Sequence, residues 1–146
     1  METDVEKLKQ MAGKCRVGML GLYQEDKIHF SPMSHVDIDD QGDLWFFASN
    51  KLRNDLKNDS SVHLVYSHES DGTFLSIEGT ARVNNNKGKM KELFNSFIKT
   101  WFPKGLDDSS LILLVVHPVG VEYWTNDSRE LIHNRIFSPN GSENEI

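Results

Sequence analysis

The first fifteen residues carry hydrophobic side chains at helical spacing. Thr3 and Glu6 have the separation of a capping box, in which the two side chains satisfy backbone groups at a helix start. Gly13 supplies a stop signal at the other end. The pattern predicts a short helix that ends near Lys14. Its apolar face consists of Val5, Leu8, Met11, Ala12 and Cys15.

Seven segments after this helix have the character of β-strands. The clearest is Thr73–Val83, where apolar and polar residues alternate as on a half-buried antiparallel strand. Pro32 lies within one extended segment and cannot donate a ladder hydrogen bond, so it predicts a sheet edge or a bulge. Pro118 separates the last two segments. The predicted strands lie in residues 17–22, 27–38, 44–48, 62–66, 73–83, 111–116 and 119–124.

Two further stretches have helical spacing. Leu52 and Leu56 are four residues apart and predict one or two helical turns. From Met90 to Trp101, apolar residues recur at steps of three and four and predict a longer amphipathic helix, which we expect to dock on a sheet. The polar residues from about 138 to 146 predict a frayed tail.

The order of elements favours a mainly β fold with peripheral helices, closed as an antiparallel barrel. The 146 residues, 38% of them hydrophobic, predict a single domain covering 1–146. A chain of this length buries roughly 70% of its unfolded surface and needs no disulfide. The single Cys15 excludes a disulfide within the chain and fits a reducing cytoplasm, where we expect the protein to reside.

Charge and motifs exclude several function classes. A net charge of −6 disfavours duplex nucleic acid and anionic membranes as partners, so an anionic ligand needs a local basic pocket. The amino-terminal residues lack a secretory signal, and no apolar run reaches the ~18 residues that span a bilayer. The six histidines form no metal-binding motif, and we expect no metal site.

The segment from Ser49 to Arg53 is a candidate phosphate site. It follows a predicted buried strand and opens a predicted helix, so it offers backbone N–H groups, a hydroxyl and the cations Lys51 and Arg53. The alternative, a capped surface helix with solvated cations, is favoured when this segment is considered alone. Trp101 and Phe102 are interpreted as packing residues rather than as ligand contacts.

Several phrases spread along the chain carry a resemblance to a known family. They are Ser31–Met33, Gly42–Phe47, Ser76–Ala81, Trp101–Gly105 and Val121–Trp124. Together they resemble the FMN-binding split-barrel superfamily of pyridoxamine 5'-phosphate oxidases, and specifically its general stress protein branch. The resemblance implies a six-stranded antiparallel split barrel, a homodimer, and FMN bound in a groove between the two subunits.

The resemblance also assigns roles to individual residues. It implies that the segment from Ser31 to Ser34 lies beside the flavin ring, and that Lys51 meets the phosphate, with Arg53 as the alternative because the register of this loop is open. Trp124 is expected to come from the partner subunit, and Arg135 to lie near the flavin. The complete set is Ser31, Pro32, Met33, Ser34, Phe47, Ala48, Ser49, Lys51, Arg53, Trp124 and Arg135.

Two departures from the family pattern narrow the expected activity. Ser31 stands where the family commonly has an arginine, which removes a cation beside the flavin. Leu131 stands where true pyridoxamine phosphate oxidases carry an arginine for the substrate phosphate, and a neutral side chain cannot hold that dianion. Oxidation of vitamin B6 is therefore not expected, although Arg129, two residues away, leaves a register shift open.

The functional hypothesis is an FMN-dependent oxidoreductase or flavin reductase of unknown substrate, with a stress-related role. One alternative is a flavin-binding module that buffers or senses flavin without turnover. Another keeps the barrel but binds haem or a deazaflavin.

Overall fold

The computed structural model describes residues 3–52, 59–127 and 130–137 of the chain. The predicted helical turns from Leu52 to Leu56 fall largely outside these residues, as does the predicted frayed tail. Within them, no helix has the length and apolar character needed to cross a membrane.

The amino-terminal helix α1 spans Asp4–Gly13, as predicted. The Thr3 hydroxyl accepts a hydrogen bond from the backbone N–H of Glu6 at 3.1 Å and so caps the helix start. The helix buries Leu8, Met11 and Ala12 and packs against the sheet. Capping and one apolar stripe therefore fix this element locally.

Eight antiparallel strands form one sheet among the described residues. Their order is β2-β1-β5-β6-β7-β4-β3, and β8 pairs with β7 outside this path. The strands are β1 (Gly18–Gln24), β2 (Lys27–Met33), β3 (His35–Ile38), β4 (Leu44–Ser49), β5 (Ser60–His68), β6 (Thr73–Asn84), β7 (Leu111–Asp127) and β8 (Glu130–Phe137).

The sheet closes on itself. β2 and β3 lie at opposite ends of the strand order, yet only Ser34 separates them in the chain, so the two ends of the sheet must meet. One edge of β7 pairs with β4 over Leu111–Val116 and then with β8 over Val121–Asp127. This change of partner along one strand divides the barrel. The predicted mainly β barrel is confirmed. The strand count differs slightly: the resemblance implied six strands and the sequence pattern seven, whereas the described residues form eight. Segment 27–38 breaks at Ser34, segments 111–116 and 119–124 form one strand, and β8 was not predicted.

β7 is one strand of 17 residues, whereas the sequence predicted two strands separated by Pro118. The proline is tolerated because the register with β6 shifts between Glu78 and Gly79, where a β-bulge removes the need for a regular ladder bond. Gly79 permits this close approach, since a Cβ there would overlap the carbonyl oxygen of His117.

The predicted helix from Met90 to Trp101 is correct only in its first part. Helix α2 spans Lys87–Leu93, and Phe94 already has extended backbone angles. The Asn95 side chain accepts a hydrogen bond from the backbone N–H of Ile98 at 3.2 Å, an arrangement that competes with helix continuation. A separate 3₁₀ turn, Ile98–Thr100, follows. The aromatic residues of this stretch therefore lie on a loop.

Two apolar clusters surround β4. The larger cluster fills the barrel and includes Phe46, Tyr66 and Leu114, and the smaller one lies beneath α2 and includes Trp45, Phe47 and Ile98. Because both faces of β4 are covered, its residues from Leu44 to Ala48 are buried without alternation. The carboxyl end of β4 is consequently held in a fixed position.

Candidate functional site

A cavity of about 480 Å³ opens where the β2–β3 corner, the end of β4 and the loop after α2 meet. Strand residues form one part of its wall and loop residues form the other. The lining residues are Ser31, Pro32, Met33, Ser34, Phe47, Ala48, Ser49, Lys51, Leu52, Phe97, Ile98, Trp101, Phe102, Asp108 and Ser110.

The β2–β3 corner contributes two hydroxyls and an apolar surface. Pro32 lies on β2, an edge strand in the sheet order, as the sequence predicted. The Ser34 hydroxyl donates to the backbone carbonyl of Arg16 at 2.8 Å and ties the corner to the residues before β1. The Met33 side chain is buried in the barrel. The corner is thus anchored on both sides.

The end of β4 contributes Phe47, Ala48, Ser49 and Lys51. The backbone N–H of Asn50 donates to the carbonyl of Ser110 at 2.6 Å, and that of Lys51 donates to the Ser49 hydroxyl at 3.3 Å. These two backbone donors are therefore engaged within the protein. The Lys51 ammonium and nearby hydroxyls remain as donors at this end of the cavity.

The loop after α2 places two half-exposed aromatic rings on the cavity. Phe97 is 41% exposed and Trp101 is 51% exposed, with ring centroids 6.4 Å apart and planes tilted by 57°. The interpretation of Trp101 as a packing residue is therefore wrong, whereas Phe102 does pack against the smaller cluster. Sequence reasoning missed Phe97 because helical spacing placed it on a buried face. The Trp-Phe-Pro-x-Gly phrase was the available signal.

Asp108 brings a carboxylate to the cavity. Its Oδ1 accepts hydrogen bonds from the Ser110 hydroxyl at 2.6 Å and from the Ser110 backbone N–H at 2.9 Å. These bonds hold the pKa of Asp108 below its ordinary value of 3.8, so the carboxylate stays charged at neutral pH. An anionic group is therefore better placed toward Lys51 than toward Asp108.

A buried polar pair supports the β2–β3 corner from inside. The Tyr66 hydroxyl lies 2.8 Å from Nδ1 of His35, the residue that follows Ser34. Burial raises the pKa of Tyr66 and lowers that of His35, so both are neutral, Tyr66 donates and Nδ1 accepts. The His35 ring also packs edge-on against Tyr66 and Phe46. This pair links the cavity wall to the core.

The structure brings together eight of the eleven predicted site residues, from Ser31 to Lys51, around one cavity. Trp124 lies on β7 and does not line this cavity. It is eleven residues beyond Leu113, the β7 residue that pairs with the cavity residue Phe47. Arg53 lies outside the described residues, and so does the side chain of Arg135. Among the described side chains, no group of three or more His, Cys, Asp and Glu residues is arranged to hold a metal ion.

An exposed apolar surface adjoins the cavity on the outer side of β1, β2 and β5. Pro32, a cavity residue, pairs with Met19, which in turn pairs with Val65. The Phe30 ring lies over Gly21, where a Cβ would come within 2.7 Å of Phe30 Cε1. We call this surface the outer apolar face, and it consists of Met19, Tyr23, Ile28, Phe30 and Val65.

Solved structures with the same fold include several general stress proteins. The general stress FMN/FAD binding protein of Xanthomonas citri shares 28% identity and a TM-score of 0.72, covering 88% of this chain and 92% of that chain. A putative general stress family protein of Xanthomonas campestris has the same identity and TM-score, covering 88% and 90%. General Stress Protein 26 of Bacillus anthracis shares 20% identity and a TM-score of 0.69, covering 89% and 98%.

The comparison with curated proteins gave no match. The comparison with protein families matched residues 3–137 to the family described as pyridoxamine 5'-phosphate oxidase like. This match includes all eleven predicted site residues and nearly the whole chain. The chain therefore belongs to the pyridoxamine 5'-phosphate oxidase like family.

Proposed function

We propose that this protein binds FMN in the cavity beside the β2–β3 corner and acts as a homodimeric flavin-dependent oxidoreductase or flavin reductase. The observation that carries the proposal is the convergence of eight residues, assigned to flavin by resemblance, on one cavity. The general stress FMN/FAD binding protein of Xanthomonas citri, 28% identical, supports the choice of a flavin.

The chemistry of the cavity fits a flavin nucleotide. Pro32, Met33 and Phe47 offer apolar surface for a flat ring, while the hydroxyls of Ser31 and Ser49 can bind polar ring or chain atoms. Lys51 is the cation for the phosphate. When bound, FMN supplies the electron transfer. The residues of this chain hold and orient it, and the charged Asp108 directs the phosphate toward Lys51.

The outer apolar face supports the homodimer. Five exposed apolar residues on three adjacent strands form a surface that a second copy of the chain would cover. Because Pro32 belongs to the cavity and pairs with Met19, an interface on this face would border the cavity. The position of Trp124, away from its own chain's cavity, is compatible with a role in the partner's site.

The phosphate assignment is tested by comparing FMN with riboflavin. We expect Lys51→Met to weaken FMN binding roughly 10- to 150-fold, since a charged hydrogen bond contributes about 1.5 to 3 kcal/mol. Riboflavin affinity should stay unchanged, because riboflavin has no phosphate. The measurement is titration of the apoprotein by flavin fluorescence.

Lys87→Met, at an exposed position at the start of α2, serves as the control and should bind both flavins like the wild type. Equal affinities of the wild type for FMN and riboflavin would contradict the assignment of a phosphate site. A haem absorption spectrum in the purified protein would contradict the flavin assignment altogether.

Leu131 leads to a second prediction, about substrate class. Pyridoxamine 5'-phosphate and pyridoxine 5'-phosphate should be oxidised negligibly, because a dianion without its arginine partner would not recover the cost of desolvation. NADH or NADPH should reduce the bound FMN, and rapid reoxidation would favour an enzyme over a flavin buffer or sensor. The measurement is flavin absorbance in stopped flow. Efficient vitamer oxidation that Arg129→Ala abolishes would contradict the prediction.

A further inference from the structure

Arg16 connects the two parts of the cavity wall. Its backbone carbonyl accepts the hydrogen bond from the Ser34 hydroxyl at 2.8 Å, so its main chain adjoins the β2–β3 corner. Its guanidinium carbon lies 6.0 Å from the ring centroid of Phe97, which belongs to the loop part of the wall. The side chain is exposed. Arg16 is not one of the lining residues, but it adjoins both parts of the cavity wall, at the Ser34 hydroxyl and at the Phe97 ring.

The Arg16 guanidinium keeps its capacity to bind an anion. Among the described residues, none places a carboxylate within ion-pair distance of it. A contact with the face of an aromatic ring leaves the guanidinium N–H groups directed outward, where they can form a bidentate pair with a carboxylate. The family commonly has an arginine at the position of Ser31, and in this chain Arg16 offers a cation from a different segment.

The aromatic rings beside Arg16 supply a stacking surface. Phe97 and Trp101 both line the cavity and are 41% and 51% exposed, although large apolar side chains are normally buried. Aromatic rings bind other planar rings by offset or edge contacts. Exposed rings next to a cation make a surface that is suited to a planar molecule carrying one negative charge.

We propose that Arg16, Phe97 and Trp101 form a subsite for a planar aromatic carboxylate, the class of substrate that enters beside the flavin. This inference rests on the proposed FMN function and specifies the same site further. Asp108 limits the charge of the ligand, because its carboxylate repels a second negative group inside the cavity. The ligand carboxylate therefore pairs with Arg16 beside the cavity, and its ring lies on the aromatic residues.

The test compares 2-naphthoate with its neutral analogue 2-naphthamide on the FMN-loaded protein. Binding is followed by perturbation of the flavin absorption band. The wild type should bind the naphthoate about tenfold more tightly, as expected for one charge-assisted pair. Arg16→Gln should remove this preference while keeping naphthamide affinity and FMN affinity, and Arg16→Lys should retain part of it. Trp101→Leu should weaken both probes.

Arg82→Gln is the matched control, since Arg82 is exposed on β6 and does not line the cavity. It should behave like the wild type. Equal affinity for the two probes would overturn the subsite, as would release of FMN by the naphthoate. A loss of FMN affinity in Arg16→Gln would also overturn it and would make Arg16 a flavin ligand. Failure of the wild type to bind FMN would instead refute the proposed function on which the subsite rests.

Discussion

At the scale of single residues, the cavity combines hydroxyls and two opposite charges within an acidic chain. Ser31, Ser34 and Ser49 face the cavity together with Lys51 and Asp108. The family resemblance implied roles at the flavin for the first four of these. The sequence could not supply Asp108, because the carboxylate reaches the cavity through a loop whose position depends on the bond between Asn50 and Ser110. A local sequence pattern does not show that these two segments lie side by side.

Phe97 and Trp101 were not predicted as site residues for a related reason, and no sequence pattern marked Arg16. Helical spacing describes which side of a helix is apolar, but it does not show where the helix ends. Helix α2 ends at Leu93, and the Asn95 side chain binds the backbone of the next turn, in which Phe97 and Trp101 line the cavity. Because the helix ends early, two residues that its spacing predicted as core line the cavity instead.

The His35–Tyr66 pair gives a pH prediction. Burial holds the pKa of His35 below its ordinary value of 6.5, so the unfolded chain takes up a proton before the folded protein does. The free energy of unfolding should therefore fall as the pH drops from about 6.5 toward the lower folded-state pKa. In His35→Gln this contribution should be absent, and the pH profile should be flatter over that range.

The measurement is urea unfolding at a series of pH values. His29→Gln, at an exposed position on β2, is the matched control and should keep the wild-type decline. A parallel loss of stability in His35→Gln and the wild type would show that His35 does not cause the decline.

At the scale of elements, alternation and helix capping predicted individual strands and helices, whereas the way in which neighbouring segments connect could not be predicted. Strand β6 and helix α1 agree with their sequence patterns because both are set by local signals, a period of two and a capping box. The continuity of β7 through Pro118 could not be predicted, because it depends on the bulge opposite Gly79 on another strand. Pairing with β6 therefore determines that β7 continues through Pro118 as one strand.

Gly21 tests the outer apolar face. A methyl group at this position would come within 2.7 Å of Phe30 Cε1, so Gly21→Ala should lift the Phe30 ring off β1. Phe30 is exposed in the single chain, so the melting temperature of the monomer should change little. The dimer dissociation constant should rise about tenfold or more, since a displaced ring spoils the fit of the interface.

Analytical ultracentrifugation over a dilution series measures this effect. Gly13→Ala is the matched control, because a methyl group added at Gly13 would meet no atom within 4 Å, and it should leave the dimer unchanged. An unaltered dissociation constant in Gly21→Ala would exclude this face as the interface.

At the scale of the whole molecule, the closed sheet explains why distant segments form one site. Strands β2 and β3 join the two ends of the sheet through Ser34, and this closure brings residues 31–34 next to the end of β4. The order of elements predicted a barrel, and the family phrases predicted its split form. The sequence alone did not show which surface is left uncovered, because that depends on the register of β1 with its two neighbours.

The proposed function requires that two copies of this chain hold FMN between them. The most direct test is sedimentation velocity of the FMN-loaded protein, followed at both the protein and the flavin absorption bands. We predict one flavin-carrying species with the mass of two 16.7 kDa chains, and release of flavin when dilution separates the subunits. Flavin that sediments with a single chain, or a dimer that carries no flavin after FMN is added, would exclude an FMN site shared by two copies.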